Sequence, residues 1–468
     1  MNFMILDIAL LIIFLISILV ILYLGRKKVR KDGVLLLYDT KWGIASIKKF
    51  GEKHKKFLKK IGHFSNWLGY VLMAGMIYLF GKIVWIYLFN ADAVRAIKVP
   101  PIMPLIPYLP QVFKLSFLPP FYFTYWIIIL AVIAITHEYF HGIFAAANGV
   151  KTKKTGFGFF PFFLPIFFAA FVELDEKKMQ KKKASAQKAI LSAGTFANTL
   201  TALIGVLLMW GFFAAAFAPA GVIYDDYAYT IEKVADISML NGVELLNPNY
   251  KDIEPLIQDT GNIFTVNNQR FTAVKGFTGD KEYVALYYNS PAFMKKVYGP
   301  IIKINEKPTK SLDDFTEIMG QYSPGEKIQL TTLVEDKESN YEIILQSNPN
   351  DKDSPWLGIV FYGEQKGFIA KFSGFFNSYK DPHTYYEPRV EWFQFIYDLL
   401  WWLVLISFSV ALVNMLPMGI FDGGRFFYLT ILQLTGSRKK AENSFKIITW
   451  VLLSLVALIM VFWLVSIW

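Results

Sequence analysis

The stretch "ITHEYFHG" occupies residues 135–142, inside a run from 120 to 147 that is otherwise apolar and long enough to cross a bilayer. His137, Glu138 and His141 are the side chains there that can bind an ion, in surroundings where water is scarce. In a helix, residues four apart share a face, so the two histidines can offer nitrogens to one metal ion. Glu138 projects about 100° away, beside the open coordination position, where it can take a proton from water on the ion. This is the H-E-x-x-H logic of zinc hydrolases. Two core histidines bonded to neighbouring helices would be the plainer reading. Three adjacent ionisable groups in a membrane helix are costly, however, and mark function.

The rest of the chain supports a membrane setting. Of 468 residues, 54% are hydrophobic and only 18% charged, below the quarter or so usual in soluble domains, and the mean hydropathy is positive. Six apolar runs are long enough to span: 3–24, 65–90, 120–147, 189–216, 393–416 and 446–467. The first has no basic leader and no small-residue cleavage site before "GRKKVRK", so it reads as an anchor. Basic stretches such as "GRKKVRKDG" (25–33), "KKMQKKK" (177–183) and "GSRKKAE" (436–442) alternate with weakly charged ones. The positive-inside rule then places 25–64, 148–188 and 417–445 in the cytoplasm and the N-terminus outside. The net charge of +11 is thereby explained by topology and by anionic lipid as a partner. Nucleic acid is not expected, since no recognition module accompanies the charge.

Three stretches do not read as spans. "TGFGFFPFFLPIFFAAFVELD" (155–175) is interrupted by Pro161 and Pro165 and has cytoplasmic flanks on both sides, so it reads as a re-entrant β-hairpin or loop; an amphipathic surface segment is the alternative. "VPPIMPLIPYLP" (99–110) is Pro-rich and external, with no legible role. Residues 221–385 are polar and strand-like and form an extracytoplasmic domain between membrane parts 1–220 and 386–468. Within it, a strand at Ile301–Ile304, a turn at Glu306-Lys307, a helix capped by Ser311 and a strand at Ile328–Leu333 are predicted. This order resembles the C-terminal half of a PDZ domain, a module that binds an extended chain by strand addition. Gly299-Pro300 stands where Gly-Asp is usual.

A catalytic zinc needs a third protein ligand. There is no cysteine, which also removes disulfides, iron–sulfur clusters and thiol nucleophiles. Of the five histidines, His54 and His63 fall in the basic loop and His383 falls outside. The ligand must be a carboxylate on the cytoplasmic half: Glu173, Asp175 or Asp422, with Asp398 starting from the outer side. Asp422 lies in "NMLPMGIFDGGR" (414–425), where Pro417 breaks a helix and Gly423-Gly424 let backbone approach closely. It follows span five and so emerges on the face where span three ends. From His141 to Lys151 is about 15 Å of helix, which puts the site within the bilayer toward the cytosol.

Taken together, "HEYFHG" and "NMLPMGIFDGGR" resemble the paired motifs of the site-2 protease family, intramembrane zinc metalloproteases. The resemblance extends to "SAGTFANTLTA", which carries Gly194 and Asn198, to "AFVELD", and to a PDZ insert between the motifs. Phe421 replaces the usual Leu before Asp-Gly. It implies a polytopic α-helical membrane protein with about six spans, a re-entrant hairpin and a mixed α/β PDZ-like domain. It further implies Zn²⁺ on His137, His141 and Asp422, Glu138 as general base, and Asn198 holding the unwound substrate or the oxyanion. The implied partner is a membrane-protein substrate helix. A catalytically silent scaffold or chaperone of the same fold and a metal transporter are the rivals. A mere binder has no need of Glu138, and a transporter would stack several such clusters across the membrane.

Overall fold

A computed structural model describes residues 3–32, 35–90, 94, 100–115, 117–159, 168–259, 261–273, 282–334, 337–363, 374 and 378–467. The chain divides into two compact units, Met1–Gly211 with Gln394–Trp468, and Phe212–Phe393.

The first unit is built on helices α1 (Phe3–Leu24), α2 (Ile44–Lys53), α3 (Lys55–Phe89), α4 (Phe123–Ala147), α5 (Ala184–Ala216), α7 (Trp392–Val413), α8 (Asp422–Thr435) and α9 (Arg438–Ile467). Among the described residues, six of these, α1, α3, α4, α5, α7 and α9, are long and apolar enough to cross a membrane, and they lie where the six apolar runs predict. The ends differ for a physical reason. Helices α3, α5 and α9 begin earlier, in Lys-, Ala- and Gln-containing flanks, because these residues favour helix while apolarity marks only the lipid-facing length. Helix α7 stops at Val413, short of Pro417, whose ring disfavours helix in the residue before it.

Helix α1 also completes another helix. Asp7 is fully buried and accepts hydrogen bonds from the Phe123 and Thr124 backbone N–H groups at 2.7 and 2.9 Å and from Tyr108 Oη–H at 2.6 Å. It thus caps, from another helix, the N-terminus of α4, whose first N–H groups have no partner within the helix. A negative group there also complements the helix dipole.

Strands β1 (Val29–Asp32), β2 (Leu35–Thr40), β3 (Thr152–Phe159) and β4 (Phe168–Leu174) form one antiparallel sheet in that order. The pairing of β3 with β4 supplies the hairpin arms read at 155–175; its tip, 160–167 with Pro161 and Pro165, lies outside the described residues. The addition of β1 and β2 was not legible in the sequence. Arg30 donates to Asp39 at 3.0 Å and to Glu173 at 2.7 Å, and Lys154 donates to Asp39, so charges link all four strands.

Among the described residues, the second unit holds two large sheets and two short two-stranded ones. Strand β5 (Phe217–Val222) belongs with β12 (Ile301–Ile304), β13 (Lys327–Val334), β14 (Lys337–Ile344) and β15 (Thr384–Pro388), in the order β14-β13-β12-β5-β15. Strands β6 (Tyr229–Lys233), β7 (Ile237–Leu240), β8 (Val243–Glu244), β9 (Asn262–Val266), β10 (Gln269–Ala273) and β11 (Tyr283–Tyr288) form the other, ordered β6-β11-β10-β9-β7-β8. Each has its own apolar core, around Ile301 and Leu330 or around Phe264 and Leu286. The predicted strand–helix–strand at 301–334 is present, with α6 (Leu312–Met319) capped by Ser311 accepting from Asp314 N–H. The turn sits one residue earlier than expected, at Asn305-Glu306, whose φ values of 46° and 64° suit a tight hairpin closing Ile304 onto Lys307.

Candidate metal centre

Helix α4 presents His137 and His141 one turn apart, with their Nε2 atoms 3.0 Å from each other. Asp422, the first residue of α8, brings Oδ2 to 3.2 Å from His141 Nε2 and 3.3 Å from His137 Nε2. A sharp reversal after α7 makes this possible. The Gly423 N–H donates back to the Asn414 carbonyl at 2.8 Å. A Cβ on Gly423 would collide with the Met415 carbonyl and one on Gly424 with the Met418 carbonyl, so the glycine pair permits the close backbone approach expected of it. Among the described residues, these are the His, Asp and Glu side chains gathered closely enough to hold one metal ion.

The hydrogen bonds behind the rings fit a metal. His141 Nδ1 lies 2.7 Å from the Ile190 carbonyl, which can only accept, so Nδ1 carries the proton and Nε2 a lone pair. His137 Nδ1 lies 3.0 Å from the Asn198 amide, whose Oδ1 is buried without a partner. Turning that amide over, an assignment that only the hydrogen-bond network decides, lets Oδ1 accept Nδ1–H and satisfies the orphaned oxygen. Both Nε2 lone pairs then point toward the Asp422 carboxylate. Three electron-rich atoms 3.0–3.3 Å apart repel one another unless a cation lies among them. Two imidazoles and one carboxylate, each imidazole held through its far nitrogen, form a donor set suited to a catalytic metal with one open position.

Gly194 lies one turn before Asn198 on α5, and a Cβ there would strike both the His137 ring and His141 Nε2. Its lack of a side chain keeps α5 against the site without filling it. On the other side, Glu138 Oε2 accepts the Val172 backbone N–H at 2.8 Å, which ties the carboxylate to β4. The Val172 amide and the Ile190 carbonyl are backbone groups and leave no side-chain signal in the sequence.

The other acidic candidates are engaged elsewhere. Glu173 accepts from Arg30, Asp175 caps the short helix Glu176–Gln180 by accepting from Lys178 N–H at 3.2 Å, and Asp398 accepts from Gln394 at 2.7 Å. His383, in the second unit, lies 3.1 Å from Asp225.

A family model described as Peptidase family M50 matches residues 125–460, more than half of the chain. The chain belongs to peptidase family M50. This bears out the resemblance to site-2 proteases, and with the six apolar helices it makes the chain a multi-pass membrane member of a metalloprotease family. The M50 match takes in His137, Glu138, His141, Gly194, Asn198 and Asp422; it begins after α1, β1, β2, α2 and α3. No curated protein matches the chain.

Proposed function

We propose that this M50 protein is an intramembrane zinc metalloprotease that cleaves transmembrane segments of membrane-protein substrates. The observation that carries the reading is the convergence of His137, His141 and Asp422 beside Glu138, on and next to helices apolar enough to lie in a bilayer. Zinc held by the three side chains would polarise a peptide carbonyl and make a water acidic near neutral pH. Glu138 accepts the proton of the attacking water and later passes it to the leaving amine. The Val172 N–H keeps that carboxylate oriented between α4 and β4. Asn198 fixes the tautomer of His137, which makes it a positioning residue on the far side of the ring from Asp422. A substrate helix must be unwound before attack, and β4, at the end of the four-stranded sheet, offers an edge for the extended segment.

Topology completes the proposal. The basic flanks of α3, α5 and α9 lie in the cytoplasm, so the site opens toward the cytosolic side while the N-terminus and the PDZ-like second unit lie outside. The second unit holds back or presents substrates. Deleting it should change which substrates are cut; unchanged choice would remove that role. The main test uses purified protein in detergent. Wild type should contain zinc and cut a single-span substrate, and Glu138→Gln should keep the zinc but cut about 10²–10⁴-fold more slowly. Cleavage that persists in Glu138→Gln would overturn the assignment.

A further inference from the structure

The mechanism leaves one face of α4 unused. His137 and His141 look toward α5 and α8, whereas Ile135, Glu138 and Tyr139, spaced i, i+3 and i+4, form a second stripe. This stripe borders a cavity of about 50 Å³, open on one side, whose lining also includes Trp42, Ile47, Phe157 and Phe171. Glu138 is therefore shared: one helix face leads to the metal ligands, the next into an apolar pocket.

The lining defines what the pocket takes. Phe171 pairs with Gly156 across the strands, and a Cβ on Gly156 would run into that ring, so Phe171 lies over Gly156 as a flat wall. The polar side chains in the lining are already engaged. Thr155 Oγ1 donates to the Trp42 carbonyl at 2.7 Å and lies 3.1 Å from Thr40 Oγ1, and Tyr139 Oη lies 3.1 Å from Ser46 Oγ. What remains for an occupant is apolar surface with one carboxylate at its edge. An acidic side chain would be repelled by Glu138, and a basic one would neutralise the group that has to accept the proton.

We infer, on the strength of the proteolytic reading above, that this pocket is the specificity site and takes an apolar side chain (Leu, Ile, Met or Phe) flanking the scissile bond. A peptide bond cut beside Glu138 has its neighbouring side chain within reach of the Trp42–Phe171 walls, and a membrane helix supplies such residues in abundance.

The test is a set of single-span substrates carrying Ala, Leu, Phe, Asp or Lys at each position flanking the cut, assayed as kcat/KM with wild type, Ala170→Leu and Trp42→Ala. Wild type should favour Leu and Phe at one flanking position. Ala170→Leu, which narrows the pocket, should reverse the order toward Ala, a change of about tenfold in the Leu-to-Ala ratio. Trp42→Ala, at a residue 67% exposed and so tolerant of truncation, should flatten the preference. Parallel profiles in all three proteins would overturn the pocket and leave the protease standing; no cleavage by zinc-loaded wild type would overturn both. Should Ala170→Leu lose zinc or unfold, a second measurement decides. Glu138→Gln protein is irradiated with a substrate bearing diazirine-leucine at the flanking position. Adducts on segments 40–47, 155–157 or 170–172 support the pocket, and adducts confined elsewhere refute it.

Discussion

The helical side of Glu138 and its sheet side are assembled over very different lengths of chain. On the helical side, His137, Glu138 and His141 fall within one turn and a half of α4, and the local spacing alone sets their relation. On the sheet side, Thr40, Phe157 and Phe171 come from β2, β3 and β4, and Thr40 meets Thr155 across 115 residues. Local spacing thus sets His137, Glu138 and His141, with Asp422 joining them from 281 residues away, whereas the pocket lining comes together only when distant strands pair. Substitutions on the first side should alter metal binding and turnover, and those on the second should alter substrate handling while the metal stays.

The largest effect should follow from Gly194→Ala. The added Cβ meets both imidazoles, so zinc content should fall to background, measured by metal analysis of the purified protein. Retained zinc would mean that α5 can retreat and is not part of the helical side. Next comes Asn198→Ala, expected to weaken zinc about 10–100-fold in a chelator competition, with glutamine rescuing part of the loss. Unchanged affinity would return Asn198 to a role toward substrate. On the sheet side, Val172→Pro removes the N–H that holds Glu138 but none that β3 uses, since that N–H points away from the ladder. Cleavage should slow about tenfold, the worth of one hydrogen bond to a charged group, with zinc unaltered.

How much of this was legible in the sequence follows the same division. The candidate ligands His137 and His141 were readable from a four-residue spacing. Asp422 was reachable because histidines are scarce, cysteine is absent, and charge counting put the ends of spans three and five on one face. The four-stranded sheet was not readable. "LLLYDT" (35–40) is six residues in a basic segment and carries no partner information, and pairing register is decided only when distant strands meet. The sheet β6-β11-β10-β9-β7-β8 of the second unit was missed for the same reason, whereas α6 was found because Ser311 and Asp314 cap it within four residues.

The smallest effect concerns pH. Burial raises the Asp39 pKa, but hydrogen bonds from Lys154 and Arg30 outweigh it and hold the carboxyl below its ordinary value. A carboxylate depressed on folding contributes stability above its unfolded pKa, near 4, and loses it as pH falls through the folded value. Thermal stability of wild type should therefore drop more steeply than that of Asp39→Asn below about pH 4, by up to ~1 kcal/mol for so exposed a pair. Equal slopes would show that the charge links do not hold β1 and β2 to the hairpin.

Asp7 sets a condition on biogenesis. Helix α1, made before α4, carries the group that finishes the N-terminus of the helix bearing His137, more than a hundred residues later. Until α4 arrives, that carboxylate has no backbone partner; until α1 is in place, the opening turn of α4 would fray. An early helix of this kind cannot be exchanged for any apolar sequence of equal length, because the last step of building α4 is already written into it.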